Sequence, residues 1–173
     1  MSTVTEPHRD HIDVILSQWR AERPDLDVAA LGLLGRLFLV AHLADEALGE
    51  GMAGHDLKTG WFDLLAALRR AGPPYELNPT RLMSTTMLSS GGMTKRLDRL
   101  VEAGLVERNP DPEDRRGTLV RLTPGGKATI DKALETHIAN EEQLLRSLTR
   151  AQRRTLDDLL RALLVDLDVS AER

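Results

Sequence analysis

A mainly α-helical chain carrying one small β-hairpin is the fold class the sequence predicts. Three observations predict it. Aromatic residues make up only 3% of the chain, whereas Leu, Ala, Arg and Glu, all good helix formers, dominate. Apolar residues recur at helical spacing in segment after segment. Only one stretch, residues 105–122, instead alternates apolar and polar residues on both sides of a polar turn.

The elements follow in order. Ile12, Ile15, Leu16 and Trp19 lie at i, i+3, i+4 and i+7, one face of a first helix over 11–19. Arg23-Pro24-Asp25 breaks it. A longer helix runs over 27–49, with Asp27 as N-cap, Gly49 and Gly51 at its end, and Leu31, Leu34, Leu37, Phe38, Ala41 and Leu48 facing inward. A third helix over 61–71 stops at Gly72-Pro73-Pro74. Asn78-Pro79 reads as an N-cap followed by Pro at N1, opening a short helix over 79–87. After a tight turn at Leu88-Ser89, another helix over 90–103 turns Leu97, Leu100 and Val101 to the core, and Gly104 is the expected glycine after its end. Two helices joined by so short a turn form a helix-turn-helix.

Residues 105–108 and 118–122 are the hairpin strands, with a polar tip between them, so the helix-turn-helix acquires a wing. Thr123-Pro124 starts a helix to about Ser147, and Thr149 with Gln152 forms a capping box at the head of the last helix. Leu156, Leu159, Leu160, Leu163, Leu164 and Leu167 form a wide stripe on that helix which no neighbouring segment clearly covers. The first and last helices therefore read as a shared dimer interface. The fold expected is a winged helix-turn-helix with N- and C-terminal dimerisation helices. Residues 1–56 are expected to dimerise and are the candidate ligand-contacting part, 57–122 to form the winged module, and 123–173 to dimerise.

Composition narrows function. With no cysteine, disulfides, thiolate catalysis, Cys-ligated zinc and thiol redox sensing are excluded. The polar, acidic N-terminus has no apolar h-region, and the most apolar stretch, 31–44, is too short to span a bilayer, so a cytoplasmic location and no membrane partner are expected. The net charge of −4 is unevenly spread: residues 1–60 hold 10 acids and 5 bases, residues 93–127 hold 8 bases and 6 acids. A local basic face, not overall charge, is what nucleic acid binding needs.

The helix over 90–103 presents Thr94, Lys95, Arg96 and Arg99 on the side away from its leucines, where side chains reach base edges in a major groove. Ser89 and Ser90, with free backbone N–H groups, suit a phosphate. At the wing tip Arg115 and Arg116 suit a narrow minor groove, with Asp114 placed to hold one of them. Lys and Arg on an exposed helix are commonly just solvated; the attached wing is what favours DNA. His8 with His11, or His42 with Asp45 and Glu46, have metal-compatible spacing, but lone helical histidines are more often surface residues, and neither metal nor cofactor is expected. No Gly-x-Ser-x-Gly elbow or carboxylate pair with a base appears, so no catalytic residues and no enzyme are expected.

The run Ser89-Ser90-Gly91-Gly92-Met93-Thr94-Lys95-Arg96-Leu97-Asp98-Arg99-Leu100, continuing through Gly104-Leu105-Val106-Glu107-Arg108, resembles the multiple-antibiotic-resistance-regulator (MarR) family. So does Asp111-Pro112-Glu113-Asp114-Arg115-Arg116 with the Leu119-to-Gly126 segment that follows it. The resemblance covers residues 61–128 closely and the flanks by layout. It implies a homodimeric regulator gripping an inverted-repeat operator in double-stranded DNA, in many members released by a small phenolic or anionic effector. A narrower likeness is to the family's urate-responsive branch, which matches at Trp19, Asp63, Arg96 and Arg108. It implies an indole stacked on a flat ring and arginines neutralising an anion. Trp19 filling a dimer core and Asp63 pairing locally are the plainer alternatives, and another aromatic acid suits the same set. The expected function is a repressor released by a small anionic aromatic ligand; the alternative is a winged-helix protein–protein docking module that does not bind DNA.

Overall fold

In the computed structural model, residues 9–51, 53–55, 57–58, 60–86, 92–112, 114 and 117–171 are described. The chain forms two units, residues 1–47 and 48–173.

The first unit is built on helix α1 (His11–Glu22) and most of helix α2 (Ala29–Gly51). Asp10 caps α1: its carboxylate accepts from the Asp13 N–H at 3.0 Å, and the Asp13 carboxylate accepts from the Asp10 N–H at 3.0 Å. Arg36 on α2 then donates to both acids, from Nε to Asp10 Oδ2 at 2.7 Å and from Nη2 to Asp13 Oδ1 at 2.6 Å. Ile12, Leu16 and Val28 are buried beneath this clasp, with Ile15 packed on them. At Gly32 a Cβ would lie 2.7 Å from Leu16 Cδ1, so the absent side chain lets α1 seat closely. Asp27 Oδ1 accepts from the Ala29 N–H at 2.9 Å, as its capping role requires.

Of the face expected to point inward on α2, Leu37 and Leu48 are half-buried and the rest is exposed among the described residues. Leu31, Leu34 and Phe38 are exposed, Phe38 by 67%, and so are Leu33, Val40 and Leu43 on other sides of the helix. The periodicity marks an apolar helix, but α1, 12 residues long, covers only the strip around Gly32 and Gly35.

The second unit opens with a single 3-10 turn (Ala53–His55) and helix α3 (Trp61–Arg70). Strand β1 (Glu76–Leu77), helix α4 (Pro79–Ser84), helix α5 (Met93–Glu102), strand β2 (Val106–Pro110) and strand β3 (Thr118–Leu122) follow. Helices α6 (Pro124–Leu144) and α7 (Arg150–Ala171) complete it. The sheet order is β1-β3-β2, all antiparallel. Leu64, Leu65 and Leu68 from α3, Leu82 from α4, Leu97 and Leu100 from α5, Val106 and Val120 from the strands, and Ile130 from α6 make one core.

Several ends differ from the expectation. Helix α4 stops at Ser84, three residues early, and Met87 lies outside the described residues. Helix α5 begins at Met93 rather than Ser90, because Gly92 has φ 81°, a left-handed conformation that helical backbone cannot continue through. Val101 is 38% exposed rather than buried: the seam runs Met93, Leu97, Leu100, and Val101 lies beyond its edge. Strand β1 is an addition to the expected hairpin. It is two residues long and is held by pairing across 45 positions, with Arg121 Nη2 2.6 Å from Glu76 Oε2.

Capping behaves as expected elsewhere. Asn78 accepts from the Arg81 N–H at 2.8 Å with Pro79 at N1, and Thr149 and Gln152 bond reciprocally at the head of α7. Gly104 adopts φ 68° after α5. Thr123 caps α6 through the Gly126 N–H at 2.9 Å, and its hydroxyl also donates to the Gly104 carbonyl at 2.7 Å. Next to that bond, the backbone of Gly126 sits so close that a Cβ there would overlap the Leu105 carbonyl. The head of α6 is thereby fastened to the turn that joins α5 to β2.

Two tests follow from these fastenings. Gly126→Ala is expected to lower stability by about 2–3 kcal/mol in denaturant unfolding, since backbone must move to admit the methyl. Neighbouring Gly125→Ala, whose Cβ meets only Thr123 Oγ1 at 3.7 Å, is expected to be neutral or stabilising. Equal losses at both positions would refute the close-approach argument. The Asp10 carboxyl is held below its ordinary value of 3.8 chiefly by the Arg36 guanidinium, and that of Asp13 by the Asp10 N–H and then by Arg36. A depressed carboxylate adds stability above its unfolded value, and that stability is lost as pH falls through the folded one. Arg36→Gln is therefore expected to lower the melting midpoint by a few degrees at neutral pH, with the difference shrinking below pH 3.8. Identical midpoints at neutral pH would contradict the clasp.

Candidate nucleic-acid interface

Helix α5 is divided sharply by its 3.6-residue period. Met93, Leu97 and Leu100 are buried at i, i+4 and i+7, while Thr94, Lys95 and Arg99 are exposed on the opposite side. Arg96 is half-buried at the border, its backbone N–H bonded to the Gly92 carbonyl at 2.9 Å. The three buried residues hold the helix in the core, and Thr94, Lys95 and Arg99 face away from them. Ser89 and Ser90 lie outside the described residues.

The wing is the β2–β3 hairpin. Its register runs from Val106 opposite Leu122 to Pro110 opposite Thr118. The Asp111 N–H donates to the Gly117 carbonyl at 3.1 Å, and the Gly117 N–H donates to the Asp114 carbonyl at 2.8 Å, closing the tip. Gly117 is needed there: a Cβ would come within 2.9 Å of Asp111 Cβ and 3.1 Å of the Asp114 carbonyl oxygen. Asp114 is exposed at this tip; Arg115 and Arg116 lie outside the described residues.

The residues singled out for an effector fall in both units. Trp19 stands on α1 in the first unit and is 45% exposed, outside the buried cluster of Ile12, Leu16 and Val28. Asp63, Arg96 and Arg108 belong to the second unit. Asp63 occupies the first turn of α3, whose N-cap is Gly60 with no side chain to offer, so its carboxylate complements the positive helix end. Arg108 on β2 forms an ion pair with Asp98 on α5, Nη1 to Oδ1 at 2.8 Å. Sequence reasoning passed over Asp98. The signal available was an acid three residues after Lys95 on an otherwise basic helix.

A second polar knot lies where α3 meets α6. Asp131 accepts from Arg69 Nε at 2.6 Å and from Lys127 Nζ at 2.8 Å, and both cations lie over the Tyr75 ring. Lys127 and then Arg69 hold the Asp131 carboxyl below its ordinary range. The knot braces the base of the sheet against the two helices. Among the described residues no group of three metal-ligating side chains comes together, and no helix is long and apolar enough to cross a membrane.

A helix-turn-helix whose second helix bears an exposed cationic face, followed by a hairpin wing, defines a DNA-binding module. Comparison with known proteins agrees. Residues 55–117 match the profile of the MarR family. The HTH-type transcriptional regulator PecS of Dickeya dadantii is 39% identical over 146 residues, covering 84% of this chain and 88% of PecS. The multiple antibiotic resistance protein MarR of Escherichia coli is 35% identical over 133 residues, covering 76% of this chain and 90% of MarR. The crystal structure of a mutant E. coli MarR complexed with operator DNA aligns with a TM-score of 0.69 at 33% identity, covering 79% of this chain and 97% of that one. The chain belongs to the MarR family of DNA-binding transcriptional regulators. Its relatives are regulators, not enzymes.

Proposed function

We propose that the chain acts as a homodimeric repressor that binds an inverted-repeat operator and is released by a small anionic aromatic ligand. The observation that carries the DNA half of this reading is the division of α5: Thr94, Lys95 and Arg99 are exposed opposite the buried Met93, Leu97 and Leu100. In this reading α5 enters the major groove, with Ser89, Ser90, Thr94, Lys95, Arg96 and Arg99 nearest bases or phosphates. Arg115 and Arg116 reach the adjacent minor groove, steadied by Asp114. Residues 57–122 read DNA, and residues 1–56 and 123–173 dimerise.

The dimer is supported by apolar surface that the single chain leaves open. On α7, Leu156, Leu159, Leu163, Leu164 and Leu167 are all exposed, Leu167 by 66%, and α2 is apolar on several sides. Exposed apolar faces of that extent are what a second copy covers. Two-fold symmetry then sets operator half-sites about 10 bp apart, centre to centre.

For the effector, the support is the residue set Trp19, Asp63, Arg96 and Arg108, two arginines for an anion and an indole for a ring. Urate and other aromatic acids both suit it. Because Arg108 is ion-paired with Asp98, an incoming anion competes with that carboxylate. The absence of a membrane-crossing helix among the described residues supports action in the cytoplasm.

Fluorescence anisotropy on DNA from upstream of the chain's own gene tests the reading. Salt is titrated first, and urate and a panel of aromatic acids are added second. Tight, salt-steep binding reversed by one of the acids is expected. Binding no tighter than to random DNA would overturn the operator reading, and operator binding that no acid reverses would overturn the effector. In the same assay Arg116→Ala is expected to weaken binding and to flatten the log–log salt slope by about 1.8, roughly 0.9 for each wing of the dimer. An unchanged affinity and slope would remove the wing from the interface.

A further inference from the structure

We propose that Asp98 is a specificity-determining positioning residue for DNA reading, acting by restraining Arg108. The ion pair joins α5 directly to the first wing strand, with Arg108 Nη1 2.8 Å from Asp98 Oδ1. Strand register explains how it forms. Arg108 lies opposite Val120 and two residues from Val106, both buried, so all three side chains leave the same face of the sheet. That face is the one α5 packs on, because Leu97 and Leu100 share a core with Val106 and Val120. Arg108 thus leaves the sheet toward α5, and Asp98, one position past buried Leu97, meets it at the rim.

The neighbouring charges make the pairing selective. On α5 the charged groups within one turn of Asp98 are Lys95 and Glu102, three before and four after on its own face, and Arg96 and Arg99, two before and one after on its flanks. On β2 the adjacent Glu107 is engaged by Asn109, whose Nδ2 donates to its Oε1 at 3.2 Å. Arg108 and Asp98 remain partly open, with side-chain exposures of 39% and 46%. A guanidinium open to solvent at the joint between a reading helix and a wing would act as a sequence-blind phosphate ligand if nothing held it. Phosphate contacts carry no sequence information and raise affinity for every duplex alike. Asp98 withholds that cation from the phosphates and fixes the angle between α5 and the wing, so that both elements meet DNA in one arrangement. The inference rests on DNA binding alone and not on the effector.

The test is the salt dependence of binding to operator and to a random-sequence duplex, measured on the full chain. In Asp98→Asn, Arg108 is released to a phosphate. The log–log slope on random DNA is expected to steepen by about 1.8, roughly 0.9 for each protomer of the dimer. Random-duplex affinity is expected to rise with the new phosphate contact, and the operator-to-random ratio to fall about three- to fivefold, because the operator alone needs the fixed angle between α5 and the wing and so gains less. Adding Arg108→Gln to Asp98→Asn is expected to return the slope to the wild-type value. Arg108→Gln alone is expected to leave the slope unchanged, because the wild-type arginine makes no phosphate contact. Loss of a merely structural contact would lower both affinities and leave the slope alone. An unchanged slope in Asp98→Asn, a flatter one in Arg108→Gln, or a steep one persisting in the double variant would each overturn the proposal. Melting curves accompany every variant, and Asp98→Ser, measured alongside, carries the same expectation if Asp98→Asn fails to fold.

Discussion

Everything proposed for this chain depends on one seam of apolar packing. Met93, Leu97 and Leu100 of α5 are buried in one core with Leu64, Leu65 and Leu68 of α3 and Val106 and Val120 of the sheet. Fully burying a Leu stabilises by roughly 1.5–3 kcal/mol, whereas an exposed ion pair contributes about 0–1 kcal/mol. The seam therefore sets where α5 lies, and the charges on its other side follow. Thr94, Lys95 and Arg99 stand in solvent because they are roughly 100° to 180° around the helix from residues that cannot be exposed.

Around that seam, polar fastenings decide angles where packing decides positions. Thr123 and Gly126 pin the head of α6 to the turn after α5. Arg121 with Glu76 ties the added strand to the sheet, and Asp131 gathers Arg69 and Lys127. Asp98 with Arg108 is the fastening between α5 and the first strand of the wing. Each is partly exposed and individually modest in energy. Their value is geometric, since each joins two elements that the core alone would leave able to rock.

Local signals make much of this fold legible in the amino-acid sequence. Asn78-Pro79, Gly104 and Thr123-Pro124 are capping signals that work within a few residues of themselves, so the elements they bound lie close to where they are expected. The exposure of Thr94, Lys95 and Arg99 follows from the helical period. What is not legible depends on partners distant in the chain or on a single backbone dihedral. Strand β1 exists because Glu76 and Leu77 meet Arg121 and Val120, and two residues carry no periodicity of their own. The start of α5 turns on the left-handed φ of Gly92, and helical phasing alone places Val101 inside when it lies at the rim. The apolar faces of α2 are evident as apolar, but what covers them is not written in the helix itself. Asp98 stands out poorly on a helix marked by its cations, and the arginine it holds lies ten positions further on, in a different element.

The central claim, that packing on one side of α5 presents the reading face on the other, is tested most directly by comparing two variants within one turn of the helix. Operator affinity and unfolding free energy are measured for Lys95→Ala and Leu97→Ala. Lys95→Ala is expected to lose operator affinity with unfolding unchanged to within about 0.5 kcal/mol, the range for exposed positions. Leu97→Ala is expected to lose about 2–4 kcal/mol of stability, and operator affinity with it. Full operator affinity in Lys95→Ala, or wild-type stability in Leu97→Ala, would contradict the account.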